Sequence, residues 1–272
     1  MLQTKTINPV AIDSQAIPLL ENLDEIRLHS EFKNAKNFTT EKGLLVVTNI
    51  KEVLPPMGII LKDTDFKDFS FENNKINVTK AEQYCSQMIT YDKFPDGRIL
   101  EIYLRKFVED DFENGLGITN DEIVKIFLEK KLSSLTEEGS TICKMIRSQG
   151  LEDLKGIIGR GKGLTPAWDD FLIGFISVLC ANHADEKLRD NIRHIFRIEK
   201  DKLTTDISED YMIKSIQGKF SQSIIRIIKS MQMNVFDEKS YLSVIKYGGT
   251  SGVDTFIGIM SAYASLLDTK TI

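Results

Sequence analysis

Sixteen residues constrain this chain more than any other stretch: Gly159-Arg160-Gly161-Lys162-Gly163-Leu164-Thr165-Pro166-Ala167-Trp168-Asp169-Asp170-Phe171-Leu172-Ile173-Gly174. Three glycines at alternate positions disfavour a regular helix or strand, because glycine loses the most backbone freedom on ordering. They call for a loop with positive φ angles and exposed N–H groups. Thr165-Pro166 then reads as a helix start. Threonine caps free N–H groups, and proline fits the first helical position, where its missing N–H would be unpaired anyway. The apolar run from Phe171 to Ala181 requires the helix that follows to be buried. A glycine loop leading into a helix N-terminus is an anion site in outline, since that terminus carries roughly half a positive charge. Arg160 and Lys162 add to the field.

Two nucleotide readings fail on spacing. Gly156-x-x-x-x-Gly161-Lys162 approximates a P-loop, but Gly163 stands where Ser or Thr would hold Mg²⁺. A dinucleotide fingerprint fails because the pattern is G-x-G-x-G and no βαβ unit surrounds it. The two acids allow two readings. Carboxylates in a first helical turn complement the dipole, and a carboxylate beside the loop can also accept from a substrate amide or hold a cation. Adjacent helical positions point about 100° apart, so only one of the pair can face a ligand directly. Asp170 is favoured, standing four residues before Gly174 as Asp254 stands before Gly258.

That spacing belongs to an internal echo. Thr165-x-x-x-Asp169-x-Phe171-Leu172 recurs 85 positions later as Thr250-x-x-x-Asp254-x-Phe256-Ile257. Gly248-Gly249 precede the second copy, and both helices hold a glycine, with the second one register off. Small residues there would let two helices approach closely, and the two loop-to-helix starts would then face one pocket.

Elsewhere the texture divides. Phe32 to Leu104 is β-like, with Gly43–Thr48 and Met57–Leu61 as buried strands and shorter candidates at Phe69–Phe71 and Ile76–Val78. Thr79–Met88 reads as a short helix. Pro95-Asp96-Gly97-Arg98 reads as a turn, and Ile99–Leu104 as an alternating strand. From Gly117 the period is helical. Thr119-x-x-Glu122 forms a capping box into Ile123, Phe127, Leu128 and Leu132. Thr136–Gln149, Asp185–Lys200, a helix capped by Ser208, Ser221–Met231, Glu238–Tyr247 and Val253–Leu267 follow. The expected fold is α+β: a β-rich half over 1–112, arranged as a small sandwich or barrel, then an all-helical half over 113–272 carrying the glycine motifs.

Bulk properties narrow the function classes. A net charge of −5 gives no general case for nucleic-acid or membrane binding. Cys85, Cys143 and Cys180 are odd in number and far apart, which suits reduced thiols in a cytoplasm. The first residues, Met1 to Lys5, hold no apolar signal region, and the longest apolar run falls short of the roughly 20 residues of a membrane span. His29, His183 and His194 stand in no metal spacing, so neither a metal nor a cofactor is expected. Arg189, Arg193 and Arg197 form a stripe of the kind that usually faces solvent.

The sequence resembles a bacterial family that includes the AllH-type subunit of oxamate carbamoyltransferase, from anaerobic allantoin breakdown. The likeness rests on Gly161-x-Gly163-Leu164-Thr165-Pro166-x-x-Asp169-Asp170-Phe171-Leu172-x-Gly174, on Thr204-Thr205 through Ser208 to Gly218-Lys219-Phe220, and on Gly248-Gly249-Thr250-Ser251-Gly252-x-Asp254. It spans about 155 to 260. Trp168 departs from a usually small residue and Gly249 from a frequent histidine. The resemblance implies a carbamoyltransferase subunit that acts on carbamoyl phosphate and oxamate, with oxalurate on the other side, within a hetero-complex. The anion would be held by Gly159, Arg160, Gly161, Lys162, Gly163 and Thr165. Gly248, Gly249, Thr250, Ser251 and Gly252 would offer backbone N–H groups. Asp169, Asp170 and Asp254 are the candidate catalytic acids, with Asp170 or Asp254 on the carbamoyl amide. A non-catalytic assembly subunit is the competing reading, because no nucleophile–base pair is legible.

Overall fold

A computed structural model describes residues 5–131, 133–184, 186–199 and 202–268. Met1 to Thr4, Leu132, Asp185 and Lys200 lie outside the described residues. The chain forms two compact units, one of residues 1–87 with 219–223, the other of 88–218 with 224–272.

The first unit is strand-rich. It contains β1 (Lys5–Ile7), β2 (Ala11–Asp13), β3 (Arg27–Glu31), β4 (Ala35–Thr40), β5 (Gly43–Thr48), β6 (Gly58–Ile60), a single helical turn α1 (Asp63–Phe66), β7 (Asn74–Ile76) and β8 (Glu82–Tyr84). Six strands form one mixed sheet in the order β3-β4-β5-β6-β2-β8, and β1 pairs with β7 in parallel. The sheet does not close into a barrel among the described residues, which removes the barrel alternative from the expected strand-rich half. The Gly43–Thr48 strand forms as expected and is buried almost throughout. Its Leu45 and Val47 pack in a core with Ile12, Met57 and Ile59, where Phe38, Phe69 and Phe71 meet edge to face.

Two local expectations fail here. Thr79–Met88 is no helix: a 3₁₀ turn at Val78–Lys80 leads into β8, which pairs in parallel with β2. Phe69–Phe71 is not a strand: Phe69 and Ser70 are irregular and Phe71 opens a turn over 71–73. Both short segments follow the sheet partner and core available to them, because pairing and burial outweigh weak intrinsic propensity.

The second unit is helical: α2 (Gly97–Asp110), α3 (Asn120–Ile123), α4 (Glu137–Arg147), α5 (Leu151–Lys155), α6 (Ala167–Ala181), α7 (Glu186–Ile198), α8 (Asp206–Ile216), the part of α9 (Gln222–Gln232) that follows Ser223, α10 (Glu238–Ile245) and α11 (Ser251–Asp268). Ile99–Leu104 lies inside α2 and is not a strand. The Asp96 carboxylate accepts from the Arg98 N–H at 2.9 Å, so the presumed turn is a helix cap. The buried Ile99, Leu100, Tyr103, Leu104 and Phe107 then fall at helical spacing. Thr119 and Glu122 form the expected capping box. α3 continues into a π-helical turn over Val124–Glu129.

α6 is the axis of this unit, since every residue from Ala167 to Ala181 is buried. Its closest partner is α11. A Cβ on Gly174 would sit 2.0 Å from the Thr255 carbonyl oxygen, and one on Gly258 would sit 2.0 Å from that of Phe171. The contact is reciprocal: each glycine opposes the carbonyl three residues before the other. The two backbones therefore touch in a way only glycine permits, and the N-terminal ends of both helices come together.

Candidate functional site

Residues at the paired starts of α6 and α11 build the candidate site. The Thr165 and Ser251 hydroxyls lie 3.0 Å apart, which joins the two glycine-led segments directly. Pro166, not Thr165, is the N-cap of α6, with no side-chain cap bond. Thr165 is thereby released from the capping role that the sequence suggests, and its hydroxyl meets the second helix.

The glycine loop is held from behind. Asp169 is fully buried, accepting from the Gly159 N–H at 2.7 Å, from the Ser208 hydroxyl at 2.6 Å and from the Thr204 hydroxyl. Thr205, not Ser208, caps α8, and its hydroxyl also donates to the Leu164 carbonyl. The Thr204–Ser208 segment thus grips the loop at both ends. Gly159 has φ +77°, and a Cβ there would lie 1.8 Å from the Leu203 carbonyl oxygen. Burial pushes the Asp169 carboxyl upward, against its three donors.

Asp170 and Asp254 differ from Asp169. Both are buried, yet the Oδ2 of each lacks a hydrogen-bond partner. Burial holds the Asp170 carboxyl well above the usual range. The Ser251 and Thr165 hydroxyls oppose that shift, and the charges of Asp254 and Asp169 add to it. Burial likewise raises Asp254 to about 6, against the Gly115 and Leu116 N–H groups and the Thr250 hydroxyl. Those N–H groups donate to its Oδ1 at 2.8 and 3.2 Å. The 114–118 loop is folded on itself by Asn114, whose side chain accepts from Gly117 and Ile118. Tyr247, 38% exposed as a residue, has a buried hydroxyl that meets Tyr211; burial and then the Asp170 charge push it up.

The cations stand apart. Arg160 pairs with Glu138 at 2.9 Å and Glu137 at 3.4 Å and lies over the Trp168 ring. Its carbonyl accepts from the Trp168 N–H. Trp168 itself is buried against Phe171. Lys162 is exposed, together with Gly161 and Gly163. Gly248, at φ +63°, and Gly249 are exposed on the other approach, and Gly252 packs against the Val244 carbonyl.

Folding therefore gathers Thr165, Asp170, Thr250, Ser251 and Asp254 into one cluster. It places Asp169 behind the loop and turns Arg160 toward α4. Sequence reasoning missed Gly115, Leu116 and Tyr247. The only signal was the Gly115-Leu116-Gly117 pattern, a second glycine loop with nothing beside it in sequence to suggest a ligand. Among the described residues no group of three His, Cys, Asp or Glu is placed to hold a metal, and no helix is long and apolar enough to cross a membrane.

Residues 157–263 match the family model of the oxamate carbamoyltransferase subunit AllH. The matched segment begins just before the Gly159 loop and ends within α11, so it holds both glycine-led helix starts and the Thr204–Ser208 grip. Gly115 and Leu116 lie outside it. No curated protein and no solved structure matches the chain.

Proposed function

We propose that the chain is a subunit of a carbamoyltransferase that acts on carbamoyl phosphate and oxamate, with oxalurate as the carbamoylated partner, in allantoin breakdown. One observation carries the reading beyond the AllH match: two buried carboxylate oxygens without partners, on Asp170 and Asp254, stand where two helix starts and three hydroxyls converge. A carbamoyl or oxamate NH₂ group supplies the donors those oxygens lack, and an unmet buried acceptor costs about 1–3 kcal/mol until it is matched. The anionic end of the substrate lies toward the exposed backbone of Gly161–Gly163 and Gly248–Gly249, with the exposed Lys162 as the nearby cation. Asp169 keeps the loop in place and does not touch substrate. Other protein subunits complete the enzyme.

Isothermal titration with carbamoyl phosphate and with oxamate, on the chain alone and with its partner subunits, tests this reading. Binding to wild type that is lost in Asp170→Ala and Asp254→Ala is expected, and no heat from either compound under any condition rejects it. The engagement of Arg160 by Glu137 and Glu138 favours a second reading, a non-catalytic assembly subunit. A reconstituted complex that keeps full turnover with both aspartates replaced would decide for that alternative.

A further inference from the structure

The proposed substrate is an anion, yet the cluster that would receive it is acidic. Asp169, Asp170 and Asp254 are buried near one another, and no lysine or arginine is among the groups acting on them. Both oxygens of Asp169 are already engaged, by N–H and O–H donors. One oxygen on each of the other two acids is unmet. Oxygen atoms surround that pair. The Thr165 and Ser251 hydroxyls are 3.0 Å apart and both act on Asp170. A Cβ added to Gly115 would lie 2.7 Å from Thr250 Oγ1 and 2.8 Å from Asp254 Oδ2, so both atoms press against that glycine and stand near each other. Two carboxylates and three hydroxyls, without nitrogen or sulfur, suit a hard cation.

We infer that Asp170 and Asp254, with the hydroxyls of Thr165, Thr250 and Ser251, bind a hydrated divalent cation of the Mg²⁺ class. The ion neutralises the acid pair and, together with the glycine N–H groups, faces the anionic group of the substrate, while the second lone pair of each carboxylate oxygen stays open to the substrate NH₂ group. Mg²⁺ fits better than Ca²⁺ or Zn²⁺. It keeps several waters and is commonly held by one or two carboxylates plus a substrate phosphate, whereas an all-protein cage needs more ligands than the described residues bring together. The bridging role rests on the proposed function; the cation site rests on the unmet oxygens alone.

The test is Mn²⁺ binding to the full chain, read as loss of the free-ion electron paramagnetic resonance signal, with and without inorganic phosphate. One displaceable ion per chain is expected, bound more tightly with phosphate present and competed by Mg²⁺. Asp170→Asn and Asp254→Asn should each weaken it about ten-fold or more, as for loss of a ligand or its close support, and the exposed Asp190→Asn should not. Thr250→Val keeps both carboxylates and serves if either aspartate variant fails to fold; it should weaken binding several-fold. Absence of bound Mn²⁺, or binding unchanged in every cluster variant, overturns the site. Carbamoyl phosphate binding that is unaltered by a chelator overturns the bridging role and leaves the proposed function standing. Bound Mn²⁺ with no carbamoyl phosphate or oxamate binding keeps the ion site and rejects the function.

Discussion

Asp169 accepts three hydrogen bonds while the Oδ2 of Asp170 accepts none, although the two leave adjacent positions of one helix. Their side chains point about 100° apart, so one turns back to the loop and the other toward α11. The variants should separate accordingly. Asp169→Ala leaves the Gly159 N–H and two hydroxyls without their acceptor, at a cost of about 2–4 kcal/mol in urea unfolding. Asp170→Asn removes a charge that burial already disfavours, so without divalent ions its stability should stay within about 1 kcal/mol of wild type. A large loss in Asp170→Asn would mean that the carboxylate has a structural partner after all. The spacing to Gly174 favours Asp170 over Asp169 as the ligand-facing acid, and the unmet Oδ2 of Asp170 supports that proposal. The fate of Thr165 was not legible in the sequence, because its hydroxyl bonds to a residue 86 positions away.

At the scale of elements, the α6–α11 crossing depends on two absent side chains. Gly174→Ala would place a methyl 2.0 Å from a backbone oxygen that cannot move without its helix. We expect a loss of about 2–4 kcal/mol or failure to fold, in the upper range of overpacking costs, measured by thermal and urea melts. Arg160 offers a contrasting test. Its pairs with Glu138 and Glu137 are part-exposed and contribute less than about 1 kcal/mol. Arg160→Ala should therefore unfold like wild type and, if the arginine stays turned to α4, bind carbamoyl phosphate within about three-fold, since mutations of such surface pairs are usually near neutral. Glu122 gives a pH dependence. Burial pushes its carboxyl up, but four hydrogen bonds from Thr136 and Thr119 prevail and hold it below the ordinary value. Its folded pKa is thus lower than its unfolded one. The stability it provides is present above the unfolded pKa and is lost as pH falls through the folded one. The gap between wild type and Glu122→Gln in urea unfolding should be full at pH 7 and shrink progressively as pH falls below the unfolded carboxylate value near 4.3 and through the lower folded one. The capping box around it was readable from Thr119 and Glu122, whereas its bonds to Thr136 bridge two helices and left no local sign.

On the scale of the whole molecule, a six-stranded sheet unit and a helical unit share one chain, and the chain returns to the first unit at 219–223. No composition shift marks that return, because it is made by backbone pairing: the Phe220 N–H donates to the Ser86 carbonyl at 2.8 Å and the Gln222 N–H to that of Leu54 at 3.1 Å. If the acid cluster and its ion bind substrate together, a chelator should weaken carbamoyl phosphate binding about ten-fold or more, as removal of a bridging cation exposes like charges to each other; calorimetry with and without added Mg²⁺ reads this.

The pieces legible in one dimension are those whose causes are local: the glycine loop, the buried helix after it, the capping box, the Gly43–Thr48 strand and the likeness of the two helix starts. Periodicity and backbone stereochemistry act over a few residues, so they survive in one dimension. It took the packing of the chain to make Asp169 anchor the loop, to turn Arg160 toward α4, to bring Gly115 and Leu116 to Asp254, and to bury two carboxylate oxygens without partners. Those outcomes depend on which surfaces meet at separations from 10 residues, for Gly159 and Asp169, to 139, for Gly115 and Asp254, and the decisive event is the glycine-to-backbone contact between α6 and α11 that brings both helix starts to one place.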